Sequence, residues 1–128
     1  MMREAIATSR KRITTNTKDQ PMKAPVIRIS VGKFDAHKAV IVEEKLRESR
    51  AGLENGIRAM NGNIAYYVGI DRSNNAMHNV SFWETVAYAN QMATFAPMIA
   101  LGAAFAALGV RFDRPILNCN TLWQLDGK

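Results

Sequence analysis

One cysteine, Cys119, stands among 128 residues, so no intrachain disulfide can form and no cysteine-based zinc site exists. The two histidines, His37 and His78, are 41 positions apart, so no His-rich metal cluster is available either. These absences exclude a disulfide scaffold and argue against a structural metal, so no metal is expected. The N-terminal stretch holds no continuous apolar core, which argues against a secretory signal and leaves a cytoplasmic location as the expectation. Internal repeats and low-complexity tracts are missing too. The chain is too short for two domains with adequate cores. With 48% hydrophobic and 22% charged residues it has the composition of a folded domain, because a disordered chain would be less apolar and more charged.

The net charge of +6 is unevenly spread. Arg3, Arg10, Lys11, Arg12, Lys18 and Lys23 against Glu4 and Asp19 put most of the excess in residues 1–24, leaving 25–128 close to neutral. Three readings of this basic arm stay open: a transit-type segment rich in Arg, Ser and Thr; a solvated tail able to touch phosphates; or an extension preceding an internal start at Met22. The folded domain is expected over residues 25–128. A second feature, the uncharged stretch from Thr85 to Val110, raises a membrane span. Its Ala-rich composition and the interruptions at Asn90, Gln91, Pro97 and Gly102 favour a buried helix instead.

Hydrophobic periodicity then orders the chain. Val26–Val31 alternates strictly and predicts a strand. Asp35 is a candidate N-cap for a helix from about Ala36 to Arg50, with Val42, Leu46, Leu53, Ile57 and Met60 on one stripe. Gly52 and Gly56 predict a break and a short second helical piece. Asn61-Gly62-Asn63 is a turn, Ile64–Asp71 a second strand, Arg72–Asn75 a hairpin loop, and Met77–Glu84 a third strand. Thr85 can cap a helix to about Ala93, Pro97 restarts it, and Gly109 stops it. Arg111–Arg114 reads as a charged loop and Ile116–Leu125 as the last strand. The order β-α-β-β-α-β gives an α+β, ferredoxin-like sandwich, an antiparallel sheet with both helices on one face.

Alternation also sorts the sheet residues into two faces. Ile27, Ile29, Val31, Ile64, Val68, Ile70, Val80 and Phe82, with Leu117, Trp123 and Leu125, are expected under the helices. The opposite face collects Arg28, Ser30, Tyr67, Asn79, Ser81, Trp83, Asn118 and Asn120, with Val26 and Ala65. That second set is amphiphilic. It fits a wet face, the inner side of a dimer, or the wall of a ligand cavity. An uncovered face bearing Trp83 and Tyr67 would expose more apolar surface than monomers tolerate, so a homodimer is expected, the last strand taking part.

Two segments carry a resemblance. Ala59–Asp71 (AMNGNIAYYVGID) and Val80–Thr85 (VSFWET), with its Trp-Glu-Thr step into the second helix, resemble the antibiotic-biosynthesis monooxygenase-like domain of the dimeric α+β barrel superfamily, over about Pro25 to Leu125. The resemblance implies a homodimer whose two sheets close into a barrel, with one pocket per subunit between sheet and helices. Some members are cofactor-free monooxygenases of phenolic polyketides in which an Asn four residues before the strand Trp matters; Asn79 and Trp83 have that spacing. A Tyr follows the Trp by six in that pattern, whereas Tyr88 here stands at plus five. Haem-degrading members need a His on the second helix, and none occurs between Thr85 and Gly109.

The expected function is thus a cofactor-free monooxygenase-like protein acting on a small aromatic or polyketide-like molecule, or a non-catalytic binder using the same pocket. Asn79 and Trp83 are the candidate catalytic residues, Asn79 orienting an oxyanion and Trp83 walling the substrate. Arg28, supplying positive charge, Ser30, Tyr67, Ser81, Tyr88, Asn118 and Asn120 are the candidate substrate-binding residues. A catalytic base is not evident, since His78 falls on the other face by parity and Asp71 at a strand end. An RNA-binding sheet shares this topology, but Met77–Glu84 has no Lys or Arg, so nucleic acid is not the expected partner.

Overall fold

A computed structural model describes residues 24–127, so the expected basic arm, apart from Ala24, lies outside the described residues. Strand β1 (Val26–Lys33) is followed by a 3-10 turn (Ala36–Lys38) and helix α1 (Ala39–Arg58). Strands β2 (Asn63–Asp71) and β3 (Ala76–Trp83) form a hairpin. Helix α2 (Val86–Ala89), a 3-10 turn (Asn90–Thr94) and helix α3 (Ala96–Ala107) lead to the short strands β4 (Arg111–Phe112) and β5 (Leu117–Asn120). All described pairings are antiparallel. The sheet order is β2-β3-β1, with β4 and β5 sharing the far edge of β1. This is the expected α+β, ferredoxin-like arrangement.

Local chemistry explains most of the elements. Asp71 closes the β2–β3 hairpin by accepting from the Ser73 and Asn74 backbone N–H groups and the Asn74 side chain. Asn75 takes the positive φ that such a turn needs, and Asn tolerates it. Thr85 caps α2 as expected, its hydroxyl accepting from Tyr88 N–H at 3.0 Å. Pro97 sits in the first turn of α3, where its missing N–H is harmless.

Four expectations are corrected. Helix α1 runs unbroken through Gly52 and Gly56, supported by the i,i+4 pairs Arg47–Glu43, Arg50–Glu54 and Arg58–Glu54. Asp35 gives no side-chain cap; its carbonyl accepts from Lys38 N–H, and its carboxylate lies 3.5 Å from Arg111. The expected loop Arg111–Arg114 opens with β4, while the expected strand Ile116–Leu125 pairs with β1 only over Leu117–Asn120.

The fourth correction concerns the faces. The helices cover the side bearing Val26, Arg28, Ser30, Asn79, Ser81 and Trp83, not the side bearing Ile27, Ile29, Val31, Val80 and Phe82. One core cluster joins Met77 of β3 to Val42, Leu46 and Phe105 of the helices. A second joins Trp83 to Leu53, Ile57, Ala89 and Met92. Apolar side chains on the helices supply most of this core, so the sheet can carry polar groups beneath them. Strand β2 also departs from simple parity. A bulge between Asn63 and Ala65 shifts the register, so Tyr66, Val68 and Ile70 face the helices while Tyr67 turns away.

Candidate functional site

Register places the helix-facing side chains in rows that cross the sheet. Asn63, Trp83, Val26 and Asn120 form the first; Tyr66, Ser81, Arg28 and Asn118 the second; Val68, Asn79 and Ser30 the third. Six of the sequence-selected residues, Arg28, Ser30, Asn79, Ser81, Asn118 and Asn120, therefore share one side with Trp83. Two do not join them. Tyr67 packs on the opposite face, edge-on to Phe82 with ring centroids 6.1 Å apart. Tyr88 lies on α2 against the Gly62 turn, so closely that Gly62 has no room for a Cβ and takes a positive φ. His78 falls on the side opposite Asn79 and Trp83, as parity predicted, and with the faces inverted that side is the one away from the helices.

Within the rows, partners are unevenly distributed. Trp83 is wholly buried and donates from Nε1 to Ser81 Oγ at 2.9 Å, which satisfies two buried polar groups at once. The Tyr66 hydroxyl and Asn79 Oδ1 are also buried, and neither has a partner. Unpaired buried groups of this kind cost about 1–3 kcal/mol each; Thr121 Oγ1, just beyond β5, is another. Burial pushes the Tyr66 phenol up to about 12, with nearby Arg28 pulling the other way. The same burial holds the Arg28 guanidinium below its ordinary value; Tyr66 opposes this and Arg114 adds to it. Among the described residues, Arg28 has no carboxylate in ion-pair range. The second row thus presents a protonated phenol and a cation with no described carboxylate partner, which suit an electron-rich oxygen on a ligand, and the adjoining third row presents an amide oxygen, which can accept from a ligand O–H.

Tyr66 escaped the sequence reading because the bulge hides its parity, and the doublet Tyr66-Tyr67 offers no choice between its members. A cleft of about 960 Å³ opens beside it, between α1 and β2, lined by Leu46, Leu53, Ile57, Tyr66, Val68 and Ile70 among others. Its rim is charged, with Glu43 held by Arg47 and Arg72, and Glu54 held by Arg50 and Arg58. The cleft does not include Asn79, Trp83 or Arg28 in its lining; the rows meet it through their β2 members, Asn63, Tyr66 and Val68. Among the described residues no group of three or more His, Cys, Asp or Glu is placed to hold a metal ion. No described helix is long and apolar enough to cross a membrane.

Fold and site together define a ferredoxin-like α+β domain with rows of polar side chains on the helix-covered side of its sheet, buried at Ser81, half-buried at Arg28 and Tyr66 and exposed at Asn118 and Asn120. Comparison with solved structures finds the same fold in other bacterial proteins. A candidate antibiotic biosynthesis monooxygenase of Deinococcus radiodurans is similar with a TM-score of 0.61 at 16% identity, over 80% of this chain and 98% of that one. A monooxygenase from the ActVA-Orf6 gene of Streptomyces coelicolor, solved with nanaomycin D, gives 0.58 at 13% identity, over 88% and 99%. A Pseudomonas aeruginosa protein gives 0.57 at 19% identity, over 80% and 99%. Likeness at these identities shows a shared fold. No family model matches the chain, and neither does any curated protein sequence.

Proposed function

We propose that the protein is a cofactor-free monooxygenase-like enzyme that binds a small aromatic or polyketide-like phenol on the helix-facing side of its sheet and works as a homodimer. The observation that carries this reading is the pair of buried, unpartnered groups, the Tyr66 hydroxyl and Asn79 Oδ1, in adjoining rows with Arg28. The fold shared with the Streptomyces coelicolor monooxygenase supports it. In such a reaction the substrate is its own reductant. A methylene flanked by aromatic rings loses a proton to give a carbanion whose charge rests on an oxygen. Dioxygen takes up that electron density, one oxygen atom stays as a carbonyl, and the other leaves as water. Arg28 and the Tyr66 O–H stabilise the oxyanion, Asn79 Oδ1 orients the substrate by accepting from a phenolic O–H, and Trp83 with its fixed indole supports the wall. The single domain is assigned to residues 25–128. The homodimer is supported by the sheet face left open by the helices, where Tyr67 and Leu117 are 62% and 52% exposed.

A second reading, a non-catalytic binder, has one observation in its favour: the described rows on the helix side of the sheet contain no carboxylate or imidazole to act as base. Oxygen uptake with a panel of anthrones, quinols and phenols, with products followed by mass spectrometry, separates the two. Turnover supports the enzyme. Thermal stabilisation by a panel member without oxygen uptake supports the binder. Neither response sinks both. Asn79→Ala should weaken binding of a responding phenol about 10-fold, the loss of roughly one hydrogen bond to a buried group, while the fold stays intact by circular dichroism.

A further inference from the structure

A charged stripe runs along α1 beside the apolar one. Glu43, Arg47, Arg50, Glu54 and Arg58 recur at helical spacings of three and four, and all of them line the cleft. Arg72, in the turn after β2, reaches across to Glu43 at 2.9 Å. Four guanidinium groups therefore meet two carboxylates. Residues 25–128 hold 11 bases and 9 acids; without these four and two, seven of each remain. The positive excess of the whole domain thus lies at the mouth of one cleft. Glu44 and Glu48, the other acids of α1, are outside its lining.

Helix support does not account for this arrangement. One cation per carboxylate gives the i,i+4 stabilisation, and Arg72 is not on the helix at all. The carboxylates are saturated. Glu43 accepts at both oxygens, from Arg47 and Arg72, and Glu54 at both, from Arg50 and Arg58. The arginines are not saturated. Arg47 and Arg50 each bond through Nε and Nη2, Nη1 has no partner among the described residues, and the two side chains are 77% and 75% exposed. Three residues apart, they are neighbours on the helix surface. Each is paired outward, Arg47 towards Glu43 and Arg50 towards Glu54, so two like charges face a gap that holds no lining acid. The cleft beneath that gap is apolar at Leu46 and Leu53 and ends on the Tyr66 phenol.

We propose that this cleft binds an aromatic carboxylate, its rings over Leu46 and Leu53 beside Tyr66 and its carboxylate held between Arg47 and Arg50. This rests on the reading of the protein as a binder of aromatic phenols and adds an acid group to that ligand. Arginine forks match the two oxygens of a carboxylate, and an anion placed between two guanidinium groups relieves their repulsion. The cleft, about 960 Å³, is at the upper end of the range for small-molecule sites, about 300–1,000 Å³, so a fused tricyclic body fits within it.

The test is isothermal titration of the full chain with a matched pair: rhein, a dihydroxyanthraquinone carboxylate, and its primary amide, which keeps the phenolic rings and loses the charge. The carboxylate should bind about 10-fold tighter than the amide at low salt, and the gap should narrow as salt rises. In Arg47→Gln/Arg50→Gln the carboxylate should fall to the affinity of the amide, whose own affinity stays unchanged. Lys38→Gln/Lys45→Gln removes the same charge from outside the lining and should leave both affinities as in the parent. Both variants are checked by circular dichroism, and the comparison in the parent does not depend on their folding. Equal binding of acid and amide by the parent, equal losses for the two compounds in the arginine variant, or the same loss in the lysine variant overturns the proposal and leaves the phenol reading standing. A parent that binds neither compound overturns it as well, and the response to the neutral phenol panel then decides whether the phenol reading falls with it.

Discussion

The phenol of Tyr66 lies in the cleft wall with its hydroxyl buried and unpaired, and this gives it a measurable pH signature. Burial raises it to about 12, against about 10 in an unfolded chain. Below pH 10 both states hold the proton and the group has no effect on the pH dependence of stability. Between pH 10 and 12 the unfolded chain loses its proton first, so stability falls as pH rises, by at most about 2.7 kcal/mol from this residue. Tyr66→Phe should flatten that alkaline fall relative to the parent in urea denaturation at pH 8 and pH 11; an identical fall in both proteins would mean the phenol is solvated. The other residues of the site differ in how far the sequence revealed them. Asn79, Ser81, Trp83, Arg28 and Ser30 were correctly grouped because β1 and β3 pair without a bulge, so period-two alternation holds along both. Tyr66 was invisible for the opposite reason. One extra residue near Ile64 inverts the parity of the rest of β2 and exchanges Tyr66 with Tyr67.

At the scale of elements, α1 shows what glycine means when its neighbours are known. Gly52 and Gly56 read alike in the sequence as helix breakers, yet their surroundings differ. Gly52 has nothing within 4 Å of the position a Cβ would take, whereas at Gly56 that Cβ would fall 2.5 Å from Cζ of the Phe95 ring. Gly56 is therefore the gap through which the turn before α3 docks on α1, and it persists in the helix for packing. Gly52→Ala should stabilise the protein by about 0.5–1 kcal/mol through helix propensity alone. Gly56→Ala gains the same propensity but must displace a half-buried ring, an overpacking cost of about 1–3 kcal/mol, so its net effect should be destabilising. Equal midpoints for the two variants in chemical denaturation would show that Phe95 moves freely. The same logic explains the inverted faces. Alternation reports which residues share a side of a strand, never which side the helices take. The helices here bring Val42, Leu46, Leu53, Ile57 and Phe105, so hydrophobicity of the sheet alone pointed to the wrong side.

For the whole molecule, the consequence of that inversion is an apolar sheet face with no helix over it. Val80 lies near its centre, between Tyr67 on β2 and Ile29 on β1, and Leu117 of β5 extends the same row. In a homodimer closed by a twofold axis each such residue meets the partner's face, so one substitution acts twice. Val80→Glu would bury a carboxylate in each copy at a cost of several kcal/mol unless the copies separate, and separation lets water solvate both. The dimer dissociation constant should rise at least 100-fold, equivalent to about 2.7 kcal/mol, read by light scattering across a dilution series. Val86→Glu is the matched control. Val86 is 43% exposed at the start of α2, on the helix side, and the same charge there should leave the dimer unchanged. Each variant must keep the circular dichroism spectrum of the parent, since Val80 is half-buried within its own chain as well. A Val80→Glu protein that stays dimeric at the parent's concentrations would place the contact between copies elsewhere than on this face.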